Sequence, residues 1–169
     1  MTPPSVWALG LAYWLHMLAT VAWIGGLVAL SVLVLPAARQ SLDDKAYAAL
    51  IGRLRRRLDP LGWACLIALA ATGMFQMSAN PNYQGFLAID NRWAVAILIK
   101  HLVFLAMIGV SAFLTWGIMP RLERAALLAS RGQEPPEAQR WQQKEKMLLW
   151  FNLVLGVLVL ALTALARAS

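Results

Sequence analysis

Residues 6–35 read VWALGLAYWLHMLATVAWIGGLVALSVLVL, and no charged side chain occurs anywhere from Met1 to Ala38. At about 1.5 Å of rise per residue, a helix over this run exceeds a hydrocarbon core about 30 Å thick, so it must tilt or protrude. The run is too long for a cleavable signal peptide and lacks its basic leader. It therefore reads as a first transmembrane helix, from about Val6 to Leu35.

The rest of the chain agrees with this reading. Hydrophobic residues make up 60% of the 169 and charged ones only 14%, and mean hydropathy is +0.62. No soluble domain of this size needs so much apolar surface. Three further spans are expected, over about 60–79, 93–119 and 147–166. The second opens at Asp59–Pro60, an N-cap followed by proline at the first helical position, and ends near Asn80–Pro81. The third runs from Trp93 and is stopped by Pro120. Trp63, Trp93, Trp141 and Trp150 fall near the expected interfaces, as aromatic belts do.

Between the first and second spans lie Arg39, Lys45, Arg53, Arg55, Arg56 and Arg57, and after Pro120 come Arg121, Arg124, Arg131, Arg140, Lys144 and Lys146. Arg92 is the one basic residue between the second and third spans. The positive-inside rule places both basic loops in the cytoplasm and both termini outside. The expectation is an all-α integral membrane protein, a single domain over 1–169, folded as an up-down-up-down four-helix bundle in a bacterial inner membrane. The net charge of +7 is accounted for by topology and contact with anionic membrane lipids rather than by nucleic acid. The single Cys65 excludes an internal disulfide.

Tyr47, Leu50, Ile51, Leu54 and Leu58 recur at helical spacing opposite the arginines. They form either an amphipathic helix on the membrane surface or an extension of the second span. The polar stretch Gly132–Pro136 reads as irregular. A faint duplication is visible, each half offering a His-bearing helix ending at proline, a basic loop, and a helix opened by Trp63 or Trp150.

His16 lies 20 residues ahead of Pro36 and His101 lies 19 ahead of Pro120. Ionisable groups within a bilayer are costly and usually have a task. With the termini outside, both histidines sit roughly 12–15 Å below the outer surface. The first and third helices of such a bundle are diagonal neighbours, so the two imidazoles can ligate a haem iron from both sides. The bland alternative is that each histidine hydrogen-bonds a neighbouring helix. The rival chemistry is copper. Met74 and Met77 stand near the outer end of the second helix, and thioether with imidazole suits Cu(I), although methionine also fills apolar cores.

Lys100 either snorkels to the interface or meets a haem propionate, and Arg92 and Trp93 can frame the same group. Lys100 and His101 point about 100° apart, so both cannot face the bundle axis squarely. Gly25, Gly26 and Gly73 permit close helix approach or room for a flat cofactor. Tyr13, Thr20 and Trp23 share the His16 face and would line a pocket there. Gln76 and Asn152 read as interhelical hydrogen bonds. There is no nucleophile–base pair, carboxylate pair, phosphate loop or zinc spacing, so hydrolytic chemistry is excluded and any enzymatic activity would be that of an oxidoreductase.

Leu15–His16, Trp23-Ile24-Gly25-Gly26-Leu27, Thr72–Gly73, the intramembrane Lys100 and Pro120-Arg121-Leu122 occur in this order across nearly the whole chain. In these the chain resembles the copper-resistance D (CopD) domain family, and more distantly the HemJ-type protoporphyrinogen oxidases. The resemblance implies a haem- or copper-related role, with His16 as the family's first-helix histidine and Lys100 as its third-helix lysine. The leading expectation is a haem b protein with His16 and His101 as axial ligands, serving electron transfer or redox sensing with a redox partner. The alternatives are copper binding or transport through His16, His101, Met74 and Met77, and a structural subunit of a larger membrane complex or homo-oligomer.

Overall fold

The computed structural model describes residues 5–83, 85, 87, 89, 91–129, 131, 133 and 137–168, the side chains of 44, 45, 48 and 168 excepted. It consists of four long helices, with no strand among the described residues. They are α1 (Val6–Ser41), α2 (Asp44–Ser78), α3 (Arg92–Ala129) and α4 (Ala138–Ala168). Each is long and apolar enough to cross a membrane. Capping sets three of the starts. Side-chain oxygens of Ser5, Asp43 and Asn91 accept from the amides of Ala8, Ala46 and Ala94 at 3.3, 2.7 and 2.7 Å, satisfying donors that a helix start leaves orphaned.

Proline is where the helices depart from expectation. Pro60 does not open the second helix; it lies inside α2, which starts a full four turns earlier at Asp44. The amphipathic stretch is thus an extension of the span, with Ile51 buried in the core and Tyr47 packed against it. Pro60 removes only one backbone hydrogen bond, and helix on both sides of it is held by packing. Pro36 and Pro120 do not end their helices either. In each case a π-helical segment, Ala29–Val34 or Phe113–Ile118, ends two residues before the proline. The amides of Leu35 and Met119 bond carbonyls five residues back, Leu30 and Leu114. This wider winding shifts the carbonyls that a proline ring would otherwise strike, so the chain continues as helix to Ser41 and Ala129. The two halves therefore share a π segment and a proline at matching places. α4 likewise begins at Ala138, well before Met147. The Gly132–Pro136 stretch falls largely outside the described residues.

Helix α1 packs on α2 and α3 on α4, α1 also meets α4, and α2 reaches α3 through Met119–Ala129. Both termini lie at one end of the bundle (the terminal end), and the arginine-rich segments lie at the other (the basic end). A core of Leu27, Leu35, Ile51, Leu114, Ile118 and Leu149 fills the basic half. A smaller one, with Met77, Trp93, Ala94, Ala96 and Ala166, closes the terminal end. Trp93, in the first turn of α3, is buried in this terminal core. Trp63, now well inside α2, stacks on Trp116 of α3 with ring centroids 5.1 Å apart. Trp7, Val21, Ile67 and Leu165 are exposed on the outer faces, an arrangement stable only where hydrocarbon is the solvent.

A candidate polar chamber and a central cavity

On α1, His16 lies on the stripe of Ala12, Ala19 and Leu27, all buried. Its ring rests over Gly73 of α2, where an added Cβ would stand 3.4 Å from Cε1. His16 Nδ1 and Thr72 Oγ1 are 2.8 Å apart, and Thr72 gives its only proton to the carbonyl of Ala68 at 2.5 Å. The imidazole must therefore be the donor, and Nδ1 carries its proton. His101 Nδ1 lies 2.7 Å from the carbonyl of Ile97, an acceptor only, so it too is protonated on Nδ1. In the neutral rings the lone pair of each histidine is on Nε2, the tautomer of a ligating imidazole.

Lys100 and Arg167 both lie within electrostatic range of His16. On α3 it is Lys100, not His101, that continues the buried stripe of Ala96, Met107 and Ser111. The Arg167 guanidinium stands 5.6 Å from the ring centre of Tyr13. Among the described residues no carboxylate pairs with Lys100 or Arg167. The terminal half of the bundle thus holds a histidine with two cations around it.

The other expected site residues divide. Gln76 donates to the carbonyl of Ala12 at 3.1 Å, tying α2 to α1 as expected. Thr20 turns its hydroxyl back to the carbonyl of His16 at 2.7 Å. Met77 is buried one turn beyond Gly73, against Trp93 and Ala94. Met74 is 55% exposed on the outer surface of α2, turned away from the interior. Arg92 is exposed in the first turn of α3. Gly25 and Gly26 do not mediate close approach, since a Cβ on either meets nothing within 4 Å. Close approach occurs instead at Gly62, where a Cβ would stand 2.7 Å from Cζ3 of Trp23.

Trp23 and Gly26 belong to a different place, a cavity of about 100 Å³ near the middle of the spans. All four helices wall it, with Arg55, Asp59 and Cys65 from α2, Ser111 from α3 and Asn152 from α4. Asn152 Nδ2 donates to Ser111 Oγ at 3.0 Å, and Ser111 passes its proton to the carbonyl of Met107 at 2.8 Å. At the basic end, Arg55 and Glu145 form an ion pair between α2 and α4, both side chains largely buried. A second cavity of about 90 Å³ lies beside that pair, lined by Ser31, Tyr47 and Glu145. Neither cavity is walled by His16 or His101. Arg55 and Glu145 were not legible as a pair in the sequence, since both sit in runs of charge; their helical registers with Ile51 and Leu149 were the available signal.

Among the described residues no group of three or more His, Cys, Asp or Glu converges as a metal-ligand set. No curated protein and no solved structure matches the chain. The family model described as Copper resistance protein D matches residues 52–166, about two thirds of the chain and all or most of three of the four helices. With its four membrane-spanning helices and this match, the chain belongs to the Copper resistance protein D family.

Proposed function

We propose that the protein binds copper as Cu(I) in the terminal half of the bundle and passes it through the membrane, with His16 and Met77 as ligands and the basic end in the cytoplasm of a bacterial inner membrane. The observation that carries the reading is the Nδ1-protonated His16 held by Thr72, which leaves Nε2 as the ligating atom. Imidazole and thioether are soft enough for Cu(I), and a set without carboxylates disfavours harder ions. Lys100 and Arg167 repel a bound cation and so weaken its retention. A site of passage needs this, because an ion that binds too tightly does not leave.

The test is Cu(I) titration of the purified protein against a chromophoric chelator, in a Cys65→Ser background. One equivalent is expected, with affinity reduced roughly 10–100-fold in His16→Ala and in Met77→Leu and unchanged in Met74→Leu. No binding, or binding indifferent to His16 and Met77, overturns the proposal. The haem reading has one observation in its favour, because Lys100 and Arg167 beside His16 are suited to two propionates. A reduced-minus-oxidised absorption spectrum of the same preparation, made with haem supplied during expression, separates the two.

A further inference from the structure

We infer that the cavity at the basic end is a seat for one anionic phospholipid, with its phosphate between Arg39 and Lys146 and part of an acyl chain against Leu35 and Trp150. This cavity, of about 90 Å³, lies where α1 and α4 meet the start of α2, and Leu35, Pro36, Arg39, Lys146, Leu149 and Trp150 all line it. Leu35 and Leu149 belong to the core and form its floor. Pro36, Arg39, Lys146 and Trp150 are exposed beside it. Its lining on α1 runs from Arg39 inward to Ser31, roughly 12 Å along the helix at the usual rise per residue. The cleft is thus cationic towards the end of the bundle and apolar deeper in.

That order of chemistry selects an amphiphile. Arg39 is held from two sides, its Nη2 donating to Gln142 Oε1 of α4 at 2.7 Å and its Nε to the Tyr47 hydroxyl of α2 at 3.4 Å. A guanidinium has five N–H donors, so these two bonds leave three for a phosphate. Among the described residues neither Arg39 nor Lys146 has a carboxylate partner. Glu145, the acidic group on this wall, is already paired with Arg55 and so does not oppose an anion with a free charge. A water-soluble anion would answer the two cations but leave Pro36 and Trp150 uncovered. A neutral hydrocarbon chain would cover those and leave the cations unanswered, and a zwitterionic lipid would bring its own cation against them. An anionic phospholipid serves both parts, as head groups do in basic pockets between membrane helices. A volume of about 90 Å³ suits one segment of the lipid, with the remainder lying in the bilayer along α1 and α4. The seat is independent of copper binding in the terminal half.

Native mass spectrometry of the full-length protein, delipidated in detergent and given equal amounts of phosphatidylglycerol and phosphatidylcholine with the same acyl chains, tests the seat. One phosphatidylglycerol is expected to be retained in preference to phosphatidylcholine. Lys146→Gln should weaken its binding roughly five-fold, equivalent to about 1 kcal/mol for one basic residue, and Arg39→Gln at least as much. Arg39→Gln also removes a tie between α1 and α4, so Lys146→Gln, which breaks no described hydrogen bond, guards against misfolding of the first variant. Arg57→Gln makes the same charge change at an exposed residue outside the cavity and should leave binding unchanged. Equal retention of the two lipids overturns the inference. So does an equal loss in all three variants, which would mean a diffuse attraction to the whole basic end. A rise in thermal midpoint with inorganic phosphate as large as that with phosphatidylglycerol would put a free anion in the seat and overturn it as well.

Discussion

At Gly62 an added methyl would stand 2.7 Å from Cζ3 of Trp23, closer than carbon atoms come without displacement. Gly62→Ala is therefore expected to lower stability by about 1–3 kcal/mol, as overpacking does, seen as a fall in thermal midpoint in detergent. Gly25→Ala, which meets open space, should leave the midpoint unchanged or raise it by the helix preference of alanine, up to about 1 kcal/mol. Equal effects at the two sites would show that Trp23 does not rest on Gly62. The Arg55–Glu145 pair yields a second residue-scale expectation. Glu145→Leu strands a buried guanidinium and should cost about 3–5 kcal/mol, while the double variant Arg55→Met, Glu145→Leu should recover most of that loss. A double-mutant cycle in detergent unfolding measures the coupling, and a coupling near zero would mean that the pair is solvated.

At the scale of elements, the two π segments tell more than the prolines that follow them. A π turn accommodates one residue more than an α turn, so deleting one residue within Ala29–Val34 restores ordinary winding while keeping the helix faces aligned on either side. Deletion of Leu33, an exposed residue of that segment, should therefore yield a folded protein. Deletion of the equally exposed Val21, in the α-helical part, rotates everything on one side by about 100°. It would separate Arg39 from its Gln142 partner at 2.7 Å and prevent assembly. Monodispersity and thermal midpoint of the two deletions in detergent decide the point, and indistinguishable behaviour would contradict it. The same reasoning explains why proline misled as a boundary marker at positions 36, 60 and 120. One lost hydrogen bond ends a helix whose neighbours are water, but not one whose neighbours are lipid and packed side chains, because there the backbone has no alternative partner.

For the whole molecule, the asymmetry of charge is the basis of the proposed orientation. Arginines and lysines crowd the basic end, while Arg92, Lys100 and Arg167 stand toward the terminal end. A C-terminal alkaline phosphatase fusion should be active and a C-terminal green fluorescent fusion dark, as for termini outside the cytoplasm; the reverse pattern would invert the proposed direction. Four spans, the interhelical roles of Gln76 and Asn152 and the angular separation of Lys100 from His101 all follow from residue type and spacing alone, because hydropathy and helical periodicity are local properties. Which faces meet does not follow, and the reason is physical. Lipid is as apolar as leucine, so a helix in a membrane has no strong alternation to show which side is turned inward. That His16 rests on Gly73 and bonds Thr72, that Lys100 faces the interior while Met74 faces outward, that Arg55 finds Glu145 across the bundle, and that Trp23, Ser111 and Asn152 line one cavity were all decided by helix-on-helix packing. The identity of the elements was written locally in the chain, and their sites arose only from contacts between residues far apart in it.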